Sequence, residues 1–131
     1  MIDYDKSQDP PAPMLQVTVS KARYRRPRRT VPALVDTGAD ITAVPHHLLN
    51  SLQLDPIGRV QIEGVRAKSA IVYTYGVRLK LADIVIKRIE VILADFDFVV
   101  LGRDVLNRLY LLLNGPELTF DLSEAPFVLK E

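Results

Sequence analysis

The chain has 131 residues, 48% hydrophobic and 25% charged, which suits one ordinary soluble domain able to bury a core without staples. It has no cysteine, so a disulfide framework and a cysteine-held metal are both excluded. The net charge of +1 conceals one basic patch: residues 21–29 carry six of the 17 basic side chains, and the rest of the chain is acidic.

Residues 1–13 are polar and end in Pro10, Pro11 and Pro13, which predicts a flexible or extended tail ahead of a domain covering 14–131. The acidic start Met1–Asp5 is unlike a secretory signal, and no apolar run approaches the roughly 20 residues of a membrane span. A cytoplasmic location and no membrane partner are therefore expected. Met14–Ser20 alternates Leu15, Val17, Val19 with Gln16, Thr18, Ser20, the period of a half-buried strand. Thr30–Val35 reads as its hairpin partner across a charged tip. Pro45 at a first helical position, with leucines three and four apart behind it, predicts a short helix over 46–52. The Val-, Ile- and Tyr-rich stretch that follows predicts strands near 59–66, 69–81 and 84–94, with Gly64 and Gly76 as breaks. Phe98–Leu101 is a short apolar strand stopped by Gly102, and Arg103–Leu109 a brief helix. Asn114-Gly115-Pro116 marks a turn before a last strand at Glu117–Leu122. The sum is a mostly β domain with one or two short helices, closer to a barrel or sandwich than to βαβ.

One segment carries chemistry. In Ala33-Leu34-Val35-Asp36-Thr37-Gly38-Ala39-Asp40 an apolar strand delivers a carboxylate, then a hydroxyl residue, glycine and alanine. The strand shelters the carboxylate from water, which strengthens electrostatic effects there. Thr37 can hydrogen bond to the loop backbone, and Gly38 permits a turn and a close approach that side chains resist. Val99-Val100-Leu101-Gly102 is a second apolar strand ending in glycine just before a helix.

Together these segments resemble the retropepsins, aspartic proteases of retroviruses and their cellular and bacterial relatives. Asp36-Thr37-Gly38-Ala39 resembles their active-site motif, and Val100-Leu101-Gly102-Arg103-Asp104 their hydrophobic-hydrophobic-Gly element and its helix. The order of hairpin, catalytic loop, second hairpin, paired strands, strand and helix matches over roughly Leu15–Phe120. The resemblance implies a small closed barrel-like acid-protease fold with a flap hairpin around Gly64 and Val65. It implies Asp36 as the single catalytic carboxylate, with Thr37, Gly38, Ala39, Asp40, Gly102 and Arg103 supporting the loop. Asp40 and Arg103 are expected to pair, tying the helix to the loop. One motif per chain implies a two-fold homodimer in which two Asp36 carboxylates share a proton and cleave a protein or peptide substrate. Thr37 is expected to hydrogen bond across that interface. The flap departs from the retroviral pattern: Glu63-Gly64-Val65-Arg66-Ala67-Lys68 has one glycine and two cations. A non-catalytic dimerisation or peptide-binding module of the same fold is the alternative, although such a module needs no sheltered acid.

Nothing calls for a cofactor or a metal. His46 and His47 are adjacent on an expected helix and face different ways without a third ligand, and Asp95-Phe96-Asp97 lacks a calcium loop's ligand count. The basic stretch 21–29 admits a solvated hairpin tip, a nucleic-acid or acidic-partner contact, or an exposed site of cleavage. The terminal Ala125–Leu129 segment could add an interface strand or pack on its own subunit.

Overall fold

The computed structural model describes residues 1–63 and 69–128. Ten strands and two one-turn helices follow in order: β1 (Ile2–Asp3), β2 (Met14–Lys21), β3 (Arg28–Val35), β4 (Ala43–Pro45), α1 (Leu48–Ser51), β5 (Pro56–Glu63), β6 (Ser69–Leu81), β7 (Ile84–Ala94), β8 (Val99–Leu101), α2 (Arg103–Leu106), β9 (Tyr110–Asn114) and β10 (Thr119–Ser123). Seven strands run in the order β2-β3-β8-β4-β7-β6-β5, and β2 also pairs with β6. That pairing closes six of them into a barrel and leaves β5 as an outer strand on β6. A three-stranded sheet, β1-β10-β9, stands beside it. The mostly β barrel-like class expected from the strand pattern is the class observed.

Alternation puts the core together. Val17 and Val19 of β2, Val77, Leu79 and Leu81 of β6, and Val91 of β7 point inward and are buried, while the residues between them face out. Full burial of such side chains is worth about 1.5–3 kcal/mol each before entropy is counted. β8 is buried at all three positions and lies between β3 and β4, paired with both. Its parallel register with β3, Ala33 beside Val99 and Val35 beside Leu101, is what brings two distant glycine-containing loops together.

The structure refines several expectations. The first residues are extended: Ile2 and Asp3 pair with Phe120 and Thr119, and the Tyr4 ring lies 5.9 Å from that of buried Phe120. Ile2 and Tyr4 alternate with Asp3 and Asp5, a strand pattern masked by the polar composition around it. Pro45 ends β4 against Ala94, and the helix starts only at Leu48; lacking an N–H, proline is as well suited to a strand end as to a helix start. Gly76 does not break β6. It sits inside the strand, where an added Cβ would lie 3.3 Å from the Ala22 Cβ of the hairpin tip. β9 was not foreseen, because Tyr110-Leu111-Leu112-Leu113 shows no alternation. β9 becomes a strand by pairing with β10, Asn114 beside Thr119 to Tyr110 beside Ser123. Val128 and the residues just before it form no strand. Among the described residues no helix is long and apolar enough to cross a membrane.

Candidate active site

Asp36 follows the last residue of β3, at the point where the strand leaves the barrel. Its N–H donates to the carbonyl of Leu101, extending the β3–β8 ladder by one bond at 3.0 Å. The chain then turns: the Ala39 N–H donates to the Asp36 carbonyl at 3.2 Å, and the Gly38 N–H donates to Asp36 Oδ1 at 2.9 Å. Asp36 is half-buried in the single chain, and Thr37 and Gly38 are exposed, so the strand shelters the carboxylate on one side only.

The expected roles of the loop residues shift in detail. Gly38 does not adopt the left-handed conformation, so the turn does not require glycine for its dihedral angles. Space is the constraint instead, since a Cβ there would stand 3.3 Å from Asp36 Oδ1. Thr37 contributes its carbonyl, and its hydroxyl has no hydrogen bond among the described residues. That carbonyl accepts from Arg103 Nη1 at 3.0 Å, while Arg103 Nη2 meets Asp40 Oδ1. The guanidinium fork thus divides between a carbonyl and a carboxylate, rather than gripping Asp40 with both arms. Both side chains are well exposed, which makes this pair a positioning contact more than a source of stability.

Gly102 immediately precedes α2, directly beneath the loop. A Cβ at Gly102 would fall 2.9 Å from the carbonyl carbon of Ile41 and 3.1 Å from the Ala39 oxygen, both backbone atoms that cannot swing away. The Arg103 N–H donates to that Ala39 oxygen at 2.8 Å. Below lies a knot that sequence reading missed. Thr42 is completely buried; its N–H and its hydroxyl donate to the Asp104 carboxylate at 3.0 and 2.7 Å, and its Oγ1 accepts the Gly102 N–H at 3.0 Å. Asp104 Oδ1 also accepts the Val105 N–H. The signal available in sequence was an acidic residue in the first turn of the helix, which reads as an ordinary cap.

An open cleft of about 790 Å³ runs beside the loop, lined by Gly38–Ile41 on one side and Val60–Glu63 of β5 on the other. Half-buried Val60 and Ile62 alternate with exposed Arg59, Gln61 and Glu63. β5 and β6 form the stem of a hairpin, paired as far as Glu63 with Ser69. The expected flap residues Gly64 and Val65 lie outside the described residues. His46 and His47 are exposed and apart from this cleft's lining.

Residues 27–108 match a family model described as "gag-polyprotein putative aspartyl protease". The chain belongs to the retropepsin-like aspartic protease family. No curated protein sequence matches closely enough to count as a relative. The fold is similar to that of the EIAV protease complexed with the inhibitor HBY-793, with TM-score 0.57 and 23% identity over 73% of this chain and 86% of that one. A retropepsin-like aspartic protease from Rickettsia conorii has TM-score 0.56 and 16% identity over 87% of this chain and 84% of that one. The simian foamy virus (mac) protease has TM-score 0.54 and 20% identity over 72% of this chain and 91% of that one. The elements from β3 to α2, with the loop after β3 and the strand–helix step at Gly102, fall within the residues of the retropepsin-like family match, while β2 of the barrel lies ahead of it.

Proposed function

We propose that the chain is one half of an aspartic endopeptidase that works as a two-fold homodimer, with Asp36 as its catalytic carboxylate. The observation that carries this reading is the placement of Asp36: a half-buried carboxylate whose Oδ1 accepts the N–H of Gly38, a residue lining the open cleft, on a loop held by Arg103. One such motif per chain supplies half of the required pair, and a symmetric dimer supplies the other half. Two carboxylates that close cannot both ionise cheaply, so they share one proton. The ionised member takes a proton from water as its oxygen attacks the scissile carbonyl, and the protonated member gives its proton to the carbonyl oxygen. The tetrahedral intermediate then collapses with cleavage of the C–N bond, and the departing nitrogen takes up a proton. Thr37, exposed beside Asp36, is assigned to the contact between the two loops. Val60 and Ile62, together with Gly64 and Val65, are assigned to the substrate.

The test is peptide-library cleavage at acidic pH with wild type and Asp36→Asn. The amide preserves the Gly38 N–H contact and removes the base, so the variant keeps the wild-type melting curve and loses at least about a hundredfold in cleavage, as expected for an acid–base group. Cleavage of the variant at the wild-type rate would remove Asp36 from the mechanism.

A further inference from the structure

Far from the cleft, the basic hairpin tip does not stand alone. Register sets Arg28 of β3 beside Ser20 of β2, Ser20 beside Arg78 of β6, and Thr18 beside Lys80. These outward positions form one continuous face across three strands. β7 joins it through an irregularity: Val77 pairs with Ile89 but Leu79 with Ile86, so an extra residue is accommodated and both Lys87 and Arg88 are exposed. The tip folds back on this face. The Ala22 N–H donates to the Gly76 carbonyl and the Arg23 N–H to the Lys87 carbonyl, both at 3.2 Å, and Ser20 Oγ donates to the Tyr24 carbonyl at 2.5 Å. Two adjoining hollows of about 450 and 700 Å³ result, sharing Arg25, Arg78 and Val85.

Arg23, Arg25, Arg28, Arg78, Lys80 and Lys87 line these hollows, against one acid, Asp83. None of the six is in an ion pair among the described residues. So many unpaired cations held close together repel one another, and a polyanion relieves that cost. The lining offers a single exposed aliphatic side chain, Val85, whereas a protein partner is ordinarily anchored by buried apolar or aromatic groups. Four of the six cations are arginines, whose planar forks suit phosphate oxygens, and the exposed ring of Tyr24 on the same tip offers a surface on which a base can stack. We propose that this face binds single-stranded nucleic acid through its phosphates, without regard to sequence. Arg28 and Asp36 stand at opposite ends of β3, roughly 26 Å apart by strand rise, so a bound strand leaves the cleft open.

The experiment is fluorescence anisotropy of labelled oligothymidylate and oligouridylate between about 50 and 200 mM salt, with a length-matched oligoglutamate as the other anion. Six phosphate contacts on a single strand give a log–log salt slope of about −4. Arg78→Gln/Lys80→Gln/Lys87→Gln, outside the basic sequence run, is expected to weaken binding at least about tenfold and to halve that slope. Arg23→Gln/Arg25→Gln, at exposed positions of the tip, should lower the slope by about 1.4, and carries the test if the triple variant does not melt cooperatively. Arg26→Gln/Arg29→Gln, which line neither hollow, should do less than either. The proposal is overturned by no oligonucleotide binding at about 50 mM salt, by an equal loss in the Arg26/Arg29 variant, or by oligoglutamate binding as tightly as the oligonucleotides. The last result would assign the face to acidic protein segments.

Discussion

Replacing Thr42 by valine keeps the shape of the side chain and removes only its hydroxyl. That hydroxyl donates to the Asp104 carboxylate at 2.7 Å and accepts the Gly102 N–H at 3.0 Å, with no exposure to solvent. A hydrogen bond to a charged group is worth about 1.5–3 kcal/mol, and a buried N–H left without a partner costs about 1–3 kcal/mol. The two losses share one network and do not simply add, so the expected destabilisation is about 2–4 kcal/mol. For a domain of this length that is a fall in Tm of about 6–15 °C. Thr42→Ser keeps the hydroxyl and removes a buried methyl, for a smaller loss of about 1 kcal/mol. Urea unfolding at one fixed protomer concentration measures all three proteins, since association would itself add stability. A loss below about 0.5 kcal/mol for the valine variant, or equal losses for valine and serine, would mean that the knot does not hold the loop to α2.

Gly102→Ala forces a Cβ to within 2.9 Å of backbone at Ile41, while its φ of −87° is open to alanine, so the cost is steric alone. It should be about 1–3 kcal/mol by urea unfolding, with a matching loss of cleavage as the Ala39–Ile41 segment moves. Arg103→Ala should reduce cleavage more than stability, and a double-mutant cycle with Asp40→Ala should give a coupling of no more than about 1 kcal/mol, because both groups are exposed. Asp5 is held below its ordinary pKa of 3.8 by hydrogen bonds from the Ser7 hydroxyl and N–H. A depressed carboxylate contributes stability above its unfolded value and loses it as pH falls through the folded one. Ser7→Ala should therefore raise the Asp5 pKa towards 3.8, read by NMR titration, and any stability difference from wild type should be present at neutral pH and disappear as pH falls through the folded pKa of Asp5.

Much of the fold was legible in the chain because period and punctuation agreed. β2 alternates, β6 and β7 are rich in Val, Ile and Tyr, and Val35-Asp36-Thr37-Gly38 and Leu101-Gly102-Arg103 place two strand ends where chemistry or a tight approach is needed. Pairing between remote strands could not be read in the same way. β9 is a leucine run that becomes a strand only against β10, and Ile2–Asp3 is too short to register until Phe120 lies across from it. The Asp104–Thr42 knot spans 62 residues, and nothing local in either residue announces the other.

Local chemistry thus set the candidate carboxylate, its glycines and the strand alternation, since each depends on neighbours within a few residues. Tertiary structure decided what surrounds them: the parallel β3–β8 register that sets Asp36 beside Leu101, the knot beneath Gly102, and the joining of Arg78, Lys80 and Lys87 to the basic tip. Those contacts are chosen by barrel closure, which selects register from the packing of the whole inward face and so leaves no mark in any short stretch of sequence.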